Sequence, residues 1–363
     1  MFLGVRLLLS LTAVLAVGTV SPPSSATAGG EVAALPGWHN AIDGTDRWDA
    51  DWFERIAQDG YASDDATAAF FPGYPLLIRA TTLTTTLREA NAALLVADIS
   101  FLGALIVLFA LTCHYYPKDQ ARRTLVLLAC FPASFFCLAP YRESPYLLAS
   151  LLAFWWARER RWGLAAVAGA CAAATRSFGV LLVPALLVEA WRQGPERRAR
   201  RLAWATAPLL GPLVYGAYWW GRVGDPLRPF HAQDAWMRTF QAFPITLGRA
   251  LRLGLVGIGD PRGIYWTADL LLTVILVTPI LARWRAVPTS YLVYAGVTIL
   301  VILSYPLPAR PLLSAPRLLL VVFPLFWAMA ALFRGRLFVV ATATFLLGFV
   351  ALSAAFMNWG FVF

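Results

Sequence analysis

Apolar runs of roughly 15–20 residues recur along most of the chain, each bounded by charge, proline or glycine. Inside hydrocarbon only a helix or a closed barrel satisfies its own backbone polar groups, and runs of this length fit helices. The pattern predicts about eleven membrane segments, near residues 4–20, 91–115, 124–139, 144–157, 163–175, 177–191, 203–220, 266–282, 288–305, 317–333 and 337–356. Several middle segments are too short to cross alone. They are expected to be tilted or re-entrant, which is tolerated where protein covers the freed backbone. Two longer polar stretches, 21–90 and 221–265, are expected as loops. No linker separates a soluble domain, so residues 1–363 read as one all-α, polytopic membrane domain.

Composition agrees. Hydrophobic residues make up 59% of the chain and charged residues 14%, where a soluble domain carries about 25% charge. The net charge of +10 raises the question of nucleic acid, but its distribution excludes that partner. When loops alternate, one side receives Arg6, Lys118, Arg122, Arg123, Arg158, Arg160, Arg161, Arg192, Arg197, Arg198, Arg200, Arg201, Arg283, Arg285, Arg334 and Arg336. Its acids are Asp119, Glu159, Glu189 and Glu196, giving +12 against −2 for the rest. Short basic loops stay cytoplasmic. The N-terminus is therefore expected inside, the C-terminus and both long loops outside. Arg6, the run Leu7–Val20 and Ala26-Thr27-Ala28 resemble a signal peptide, with a retained first helix as the alternative.

Cys113, Cys130, Cys137 and Cys171 lie in apolar runs without paired spacing and are expected as small core residues. The three histidines form no HExxH pattern.

The densest chemistry lies in the first outer loop. Trp48, Trp52 and Ile56 repeat every fourth residue, predicting a short interfacial helix with one apolar stripe. Asp51 and Arg55 can pair on its wet face. Asp49 can accept a proton from a substrate hydroxyl, or cap a helix at Trp52-Phe53. Arg142 and Glu143 sit between two spans, where ionisable groups are functional or paired. Arg176 falls at the tip of the hairpin 163–191. Its guanidinium can hold a lipid phosphate or snorkel to the surface. Arg317, after Pro316, offers the same choice. His231, Gln233, Asp234 and Trp236 combine planar hydrogen bonding with an aromatic face, a mix suited to a sugar or to an ordinary loop. Asp49, Asp51 and Glu143 are the acids available to a hard divalent cation, although no cofactor is indicated.

These blocks carry a family resemblance. Trp48-Asp49-Ala50, Phe53, Ile56-Ala57, Gly60-Tyr61 and Phe70-Phe71-Pro72-Gly73-Tyr74-Pro75 resemble the first lumenal loop of the PIG-V mannosyltransferase family. That family contains the GPI mannosyltransferase adding the second mannose, and bacterial relatives. Phe131-Pro132-Ala133-Ser134-Phe135-Phe136 with Tyr141-Arg142-Glu143-Ser144, then Ala174-Thr175-Arg176-Ser177-Phe178-Gly179, resemble later outer turns. Ser314-Ala315-Pro316-Arg317 resembles the late Pro-Arg motif. Pro145 departs from the pattern, and 221–265 matches weakly.

The resemblance implies a GT-C glycosyltransferase of bacterial type in the plasma membrane, with a retained first helix. It implies a polyprenyl-phosphate mannose donor reached from the bilayer, and a glycolipid, glycan or protein acceptor. Asp49 is then the general base of an inverting transfer. Arg176 or Arg317 stabilises the leaving phosphate, and Glu143 positions a group or acts as a second acid. Trp48, Asp51, Arg142, His231, Gln233 and Trp236 are candidate substrate contacts. No Gly-rich cradle suggests a nucleotide sugar. A lipid or solute transporter, marked by Asp98 and His114 near the second span, and a non-catalytic assembly protein of the same fold are the alternatives.

Overall fold

The computed structural model describes residues 1–17, 37, 39–62, 66–233, 237–258, 263–360 and 362. The Ala26–Ala28 motif, Asp234 and Trp236 lie outside them. Among the described residues the regular structure is helical, and one isolated bridge joins Leu307 and Arg310. In chain order the α-helices begin with α1 (Phe2–Ala16), α2 (Asn40–Asp43), α3 (Asp49–Asp59), α4 (Gly73–Thr85), α5 (Glu89–Tyr115) and α6 (Lys118–Cys130). They continue with α7 (Glu143–Arg158), α8 (Trp162–Thr175), α9 (Leu182–Arg192), α10 (Arg198–Ala205), α11 (Leu210–Val223) and α12 (Arg228–His231). The last are α13 (Phe243–Val256), α14 (Ile264–Arg283), α15 (Thr289–Ser304), α16 (Ala315–Leu320), α17 (Pro324–Leu332) and α18 (Gly335–Met357).

Helices α5, α14 with its following turn, and α18 are long and apolar enough to cross a membrane; α1, α8 and α15 are apolar but shorter. Proline explains several of the broken segments, because it lacks an N–H and clashes with the preceding turn. The expected span 124–139 is α6 followed by a 3-10 turn, Pro132–Cys137. The span 203–220 divides at Pro208 into α10 and α11, and 317–333 divides at Pro324 into α16 and α17. A 3-10 turn, Ser177–Leu181, precedes α9. The interruptions are covered by protein: every residue from Phe131 to Tyr141 and from Ala315 to Ala330 is buried. Their side chains interlock, with Phe131 edge-on to Phe326 at 5.8 Å and Phe345 at 5.3 Å. This is the condition under which irregular backbone survives at membrane depth.

Small residues let helices approach closely. A Cβ on Gly211 of α11 would meet the Ala173 backbone of α8 at 2.6 Å, and one on Gly169 would meet Pro208 at 2.8 Å. Most of the predicted basic loops gather at one end of the bundle. There His114 pairs with Glu159, Arg192 with Thr289, Tyr116 with the Ala286 carbonyl, and Arg123 with the Ala330 carbonyl.

Arg6 and Asp98 are corrections. From sequence, Arg6 falls with the basic loops and Asp98 is a transporter mark near the second span. Instead Arg6 pairs with Asp98 at 3.2 Å and donates to the Leu138 carbonyl, inside the packing of α1 against α5. A lone charge there is costly, and pairing is the response.

Candidate active site

At the end of the bundle opposite the basic loops, four chain segments converge. Helix α3 begins at Asp49, with Trp48 as N-cap, so Asp49 is the first helical residue rather than a cap for a later start. Trp48 has φ 58, an uncommon conformation for a bulky residue. Tyr141 fastens this junction: its hydroxyl donates to the Arg47 carbonyl at 2.7 Å and accepts from the Asp49 amide at 3.2 Å. Arg47 in turn donates to the Met357 carbonyl at the end of α18. Trp48 meets Trp359 edge-on at 5.6 Å.

Arg317 is the hinge of the site. It enters on α16, whose N-cap Ser314 is also left-handed, with φ 65. Its Nε donates to Glu143 Oε1 at 2.6 Å and its Nη2 to Asp49 Oδ2 at 3.0 Å. The guanidinium lies over the rings of Phe136 and Tyr141, 4.7 and 4.5 Å from their centroids. Arg176, at the C-cap of α8, approaches Glu143 Oε1 at 3.5 Å from the other side and faces Tyr146 and Phe178. Arg142, at the N-cap of α7, lies over Phe53 and Phe70. Glu143 is fully buried, whereas the Asp49 side chain is 29% exposed. The cluster thus holds one closed carboxylate, one open carboxylate and three guanidiniums. Such an excess of fixed positive charge suits an anion such as phosphate.

The sequence candidates divide accordingly. Asp49, Glu143, Arg142, Arg176, Arg317 and Trp48 come together. Asp51 is exposed on α3, facing Asp46 and Glu54. His231 is exposed and pairs with Asp225 at 2.9 Å, and Gln233 donates to the Ala69 carbonyl. Trp236 is outside the described residues. Of the predicted Trp48–Trp52–Ile56 stripe, Ile56 is buried and Trp48 and Trp52 are half-buried. Trp52 stacks on Phe70, and Phe53, Ile56 and Ala57 are buried beside α4 and α5. The acids considered for a cation do not form a ligand set, because Arg317 stands between Asp49 and Glu143 while Asp51 is elsewhere. Among the described residues no three His, Cys, Asp or Glu are grouped to hold a metal.

One site residue was not singled out from sequence: Tyr141, which adjoins Arg142-Glu143, a usable signal.

Beside the site, α3, α4, α8 and α11 enclose an apolar cavity of about 580 Å³. Ile56, Tyr61, Leu76, Ala174 and Val214 line it, and the exposed Arg79 and Arg222 border it. Leu76 and Val214 are 61% and 67% exposed, so it opens sideways on an apolar surface. Tyr61 donates to the Phe70 carbonyl at 2.8 Å, and the Phe70 ring faces Arg142, so one aromatic layer separates cavity and cluster.

The model of the family Mannosyltransferase (PIG-V) matches residues 6–192. GPI alpha-1,6-mannosyltransferase 2 of Rattus norvegicus is 32% identical over 157 residues, which are 40% of this chain and 32% of that protein. The chain therefore spans about a third of the length of this curated relative. In fold it is similar to ArnT from Cupriavidus metallidurans, crystallised with undecaprenyl phosphate. The TM-score is 0.50 at 15% identity, over 91% of this chain and 58% of that one. This likeness, with the apolar helices, makes the architecture that of an integral membrane protein of GT-C fold.

Proposed function

The chain belongs to the Mannosyltransferase (PIG-V) family, and on that premise we propose that it is a membrane glycosyltransferase moving mannose from polyprenyl phosphate to an acceptor hydroxyl. One observation carries the reading: an open carboxylate, Asp49, faces a group of guanidiniums whose charge exceeds that of the carboxylates. Asp49 takes the proton of the acceptor hydroxyl as general base. The oxygen attacks the anomeric carbon, the bond to the carrier phosphate breaks on the opposite face, and the configuration inverts. Arg317 and Arg176 stabilise the charge gathering on the leaving phosphate, with Arg142 adding to the field. Glu143, buried between Arg317 and Arg176, positions both.

The apolar cavity supports a substrate delivered on a lipid chain, its tail reached from the bilayer and its head beyond the Phe70 layer. In ArnT, the carrier named with the structure is undecaprenyl phosphate. The basic loops lie at the opposite end from Asp49, so the cytoplasmic preference of such loops supports chemistry on the outer face. The acceptor is a glycolipid, a glycan or a protein.

The test uses purified protein in liposomes, labelled polyprenyl-phosphate mannose and an envelope lipid and glycan extract. Labelled product is expected from the wild type and not from Asp49→Asn. Undiminished transfer by Asp49→Asn, or direct use of a nucleotide sugar without the carrier, would overturn the proposal.

A further inference from the structure

The family match ends at residue 192, yet Arg317 comes from the second half of the chain. What holds it in place is therefore a separate question. The connection from α15 to α16, residues 305–314, contains Pro306, Pro308 and Pro311 and has few amides for its own bonding. Three arginines bind it instead. Arg310 forks onto Asp269, with Nε and Nη2 at 2.5 and 2.9 Å from the two carboxylate oxygens. Arg249 of α13 donates to the Pro308 carbonyl at 2.9 Å. Arg238 is different in kind. Its Nη1 donates to the Tyr305 carbonyl and its Nη2 to the Leu313 carbonyl, both at 3.1 Å.

Arg238 thus ties the first and last turns of the connection together, immediately before Ser314. There the chain turns left-handed, the Ala315 amide bonds back to the Leu312 carbonyl, and the Leu318 amide bonds to the Ser314 carbonyl. Arg317 sits within that turn. Met237, next to Arg238, is left-handed as well, with φ 51. Trp48, Met237, Ser314 and Trp359 are four of the seven non-glycine residues with positive φ among those described, and the other three are Thr86, Arg160 and Arg197. Strained conformations gather where surrounding structure over-determines them. Burial lowers the Arg238 guanidinium to about 10, and the charges of Arg317 and Arg176 act in the same direction. Arg238 therefore senses the same field as the cluster.

We propose that Arg238 is a positioning residue: its fork across the Tyr305 and Leu313 carbonyls fixes the Ser314 turn and so the placement of Arg317 between Asp49 and Glu143. It brings the outer loop 221–265 into the working of the site. The proposal rests on Arg317 serving the transfer described above.

Arg238→Ala, Arg238→Lys and Arg249→Ala separate this from a general structural role. Donor kinetics are measured with lipid-linked mannose, and amide hydrogen exchange is followed over residues 312–318. Arg238→Ala is expected to lower kcat roughly ten- to a hundredfold, with donor KM within about threefold of wild type. Arg238→Lys, which keeps the charge but lacks the planar fork, fails to restore kcat. Exchange quickens at 312–318 in both, while the melting temperature stays close to wild type. Arg249→Ala, which removes the loop's apex contact, keeps kcat. Wild-type kcat in Arg238→Ala, or an equal loss in Arg249→Ala, overturns the proposal. If the wild type transfers no lipid-linked sugar, the reaction assignment fails instead; unaltered exchange in Arg238→Ala then overturns the tie by itself.

Discussion

Two arginines seven residues apart, Arg310 and Arg317, each hold carboxylates, and they do opposite work. Arg310 forks onto Asp269 through both oxygens, and it also reaches the Val362 carbonyl and lies over the Tyr265 ring. The Arg310 and Asp269 side chains are 11% and 1% exposed, so this pair is closed to solvent. Arg317 shares itself between Glu143, which is closed, and Asp49, which is not. Arg176 adds charge that the carboxylates do not balance. A sealed pair fixes structure. An unbalanced and partly open one is prepared to exchange a protein partner for a ligand.

The sharpest way to break this comparison is to neutralise one carboxylate in each. Asp49→Asn is expected to reduce transfer by roughly a thousandfold or more while the melting temperature stays near wild type. Asp269→Asn takes the Asp269 charge away from the buried Arg310 guanidinium, so it is expected to cost about 3–5 kcal/mol of stability. Its residual folded fraction should keep near-normal kcat. Replacing the pair together, Asp269→Leu with Arg310→Met, should recover much of the loss, because apolar residues of similar volume avoid the desolvation cost. Measured activity and detergent melting curves decide it. If both single variants lose stability alike and keep kcat alike, the distinction is wrong.

Sequence made one half of this comparison legible and hid the other. Arg142, Glu143, Arg176 and Arg317 could be singled out because each sits at the end of an apolar run, where an ionisable group needs a reason, and Asp49 because it follows Trp48 in the motif of the first outer loop. Their convergence was less visible, since Asp49 and Arg317 are 268 positions apart. Asp269 and Arg310 gave no such signal: one looks like an interfacial acid, the other like a loop cation. Arg6 was misplaced because a charge near a chain start imitates a topology signal until its partner, Asp98, is known. The eleven segments were recognisable as apolar runs. Their breaks at Pro208 and Pro324 were not, because proline within a membrane run is compatible with either a kink or a stop.

A pair of acids sharpens the lesson. The Asp46 and Glu54 side chains are hydrogen-bonded to each other, near Asp43, Asp51, Glu89 and Arg47. Burial, then the charge of Asp46, pushes Glu54 up to about 9. Burial also raises Asp46. The folded protein therefore holds a proton that the unfolded chain releases above the ordinary Glu range near 4.5. Where the folded state binds more protons, stability falls as pH rises. Glu54 thus lowers stability progressively from about pH 4.5 to about pH 9, after which its effect is constant. Glu54→Gln, which keeps a neutral group there, should flatten that slope and improve relative stability at pH 8–9. Melting at stepwise pH for both proteins checks it; an unchanged slope would mean that the pair does not hold a shared proton.

The smallest effect is expected where no charge is involved. Val214 is exposed on α11 and lines the apolar cavity, so a larger side chain there narrows the opening without disturbing the buried core. Val214→Trp should raise the donor KM several-fold for long polyprenyl chains and leave kcat unchanged, since it removes binding shared by ground and transition states. A water-soluble donor with a short chain should be used equally well by both proteins, because its tail does not fill the cavity. Chain-length dependence is therefore the decisive measurement. A KM that rises equally for short and long donors would locate the disturbance at the head group, within reach of Arg142 across the Phe70 layer, and not in the groove.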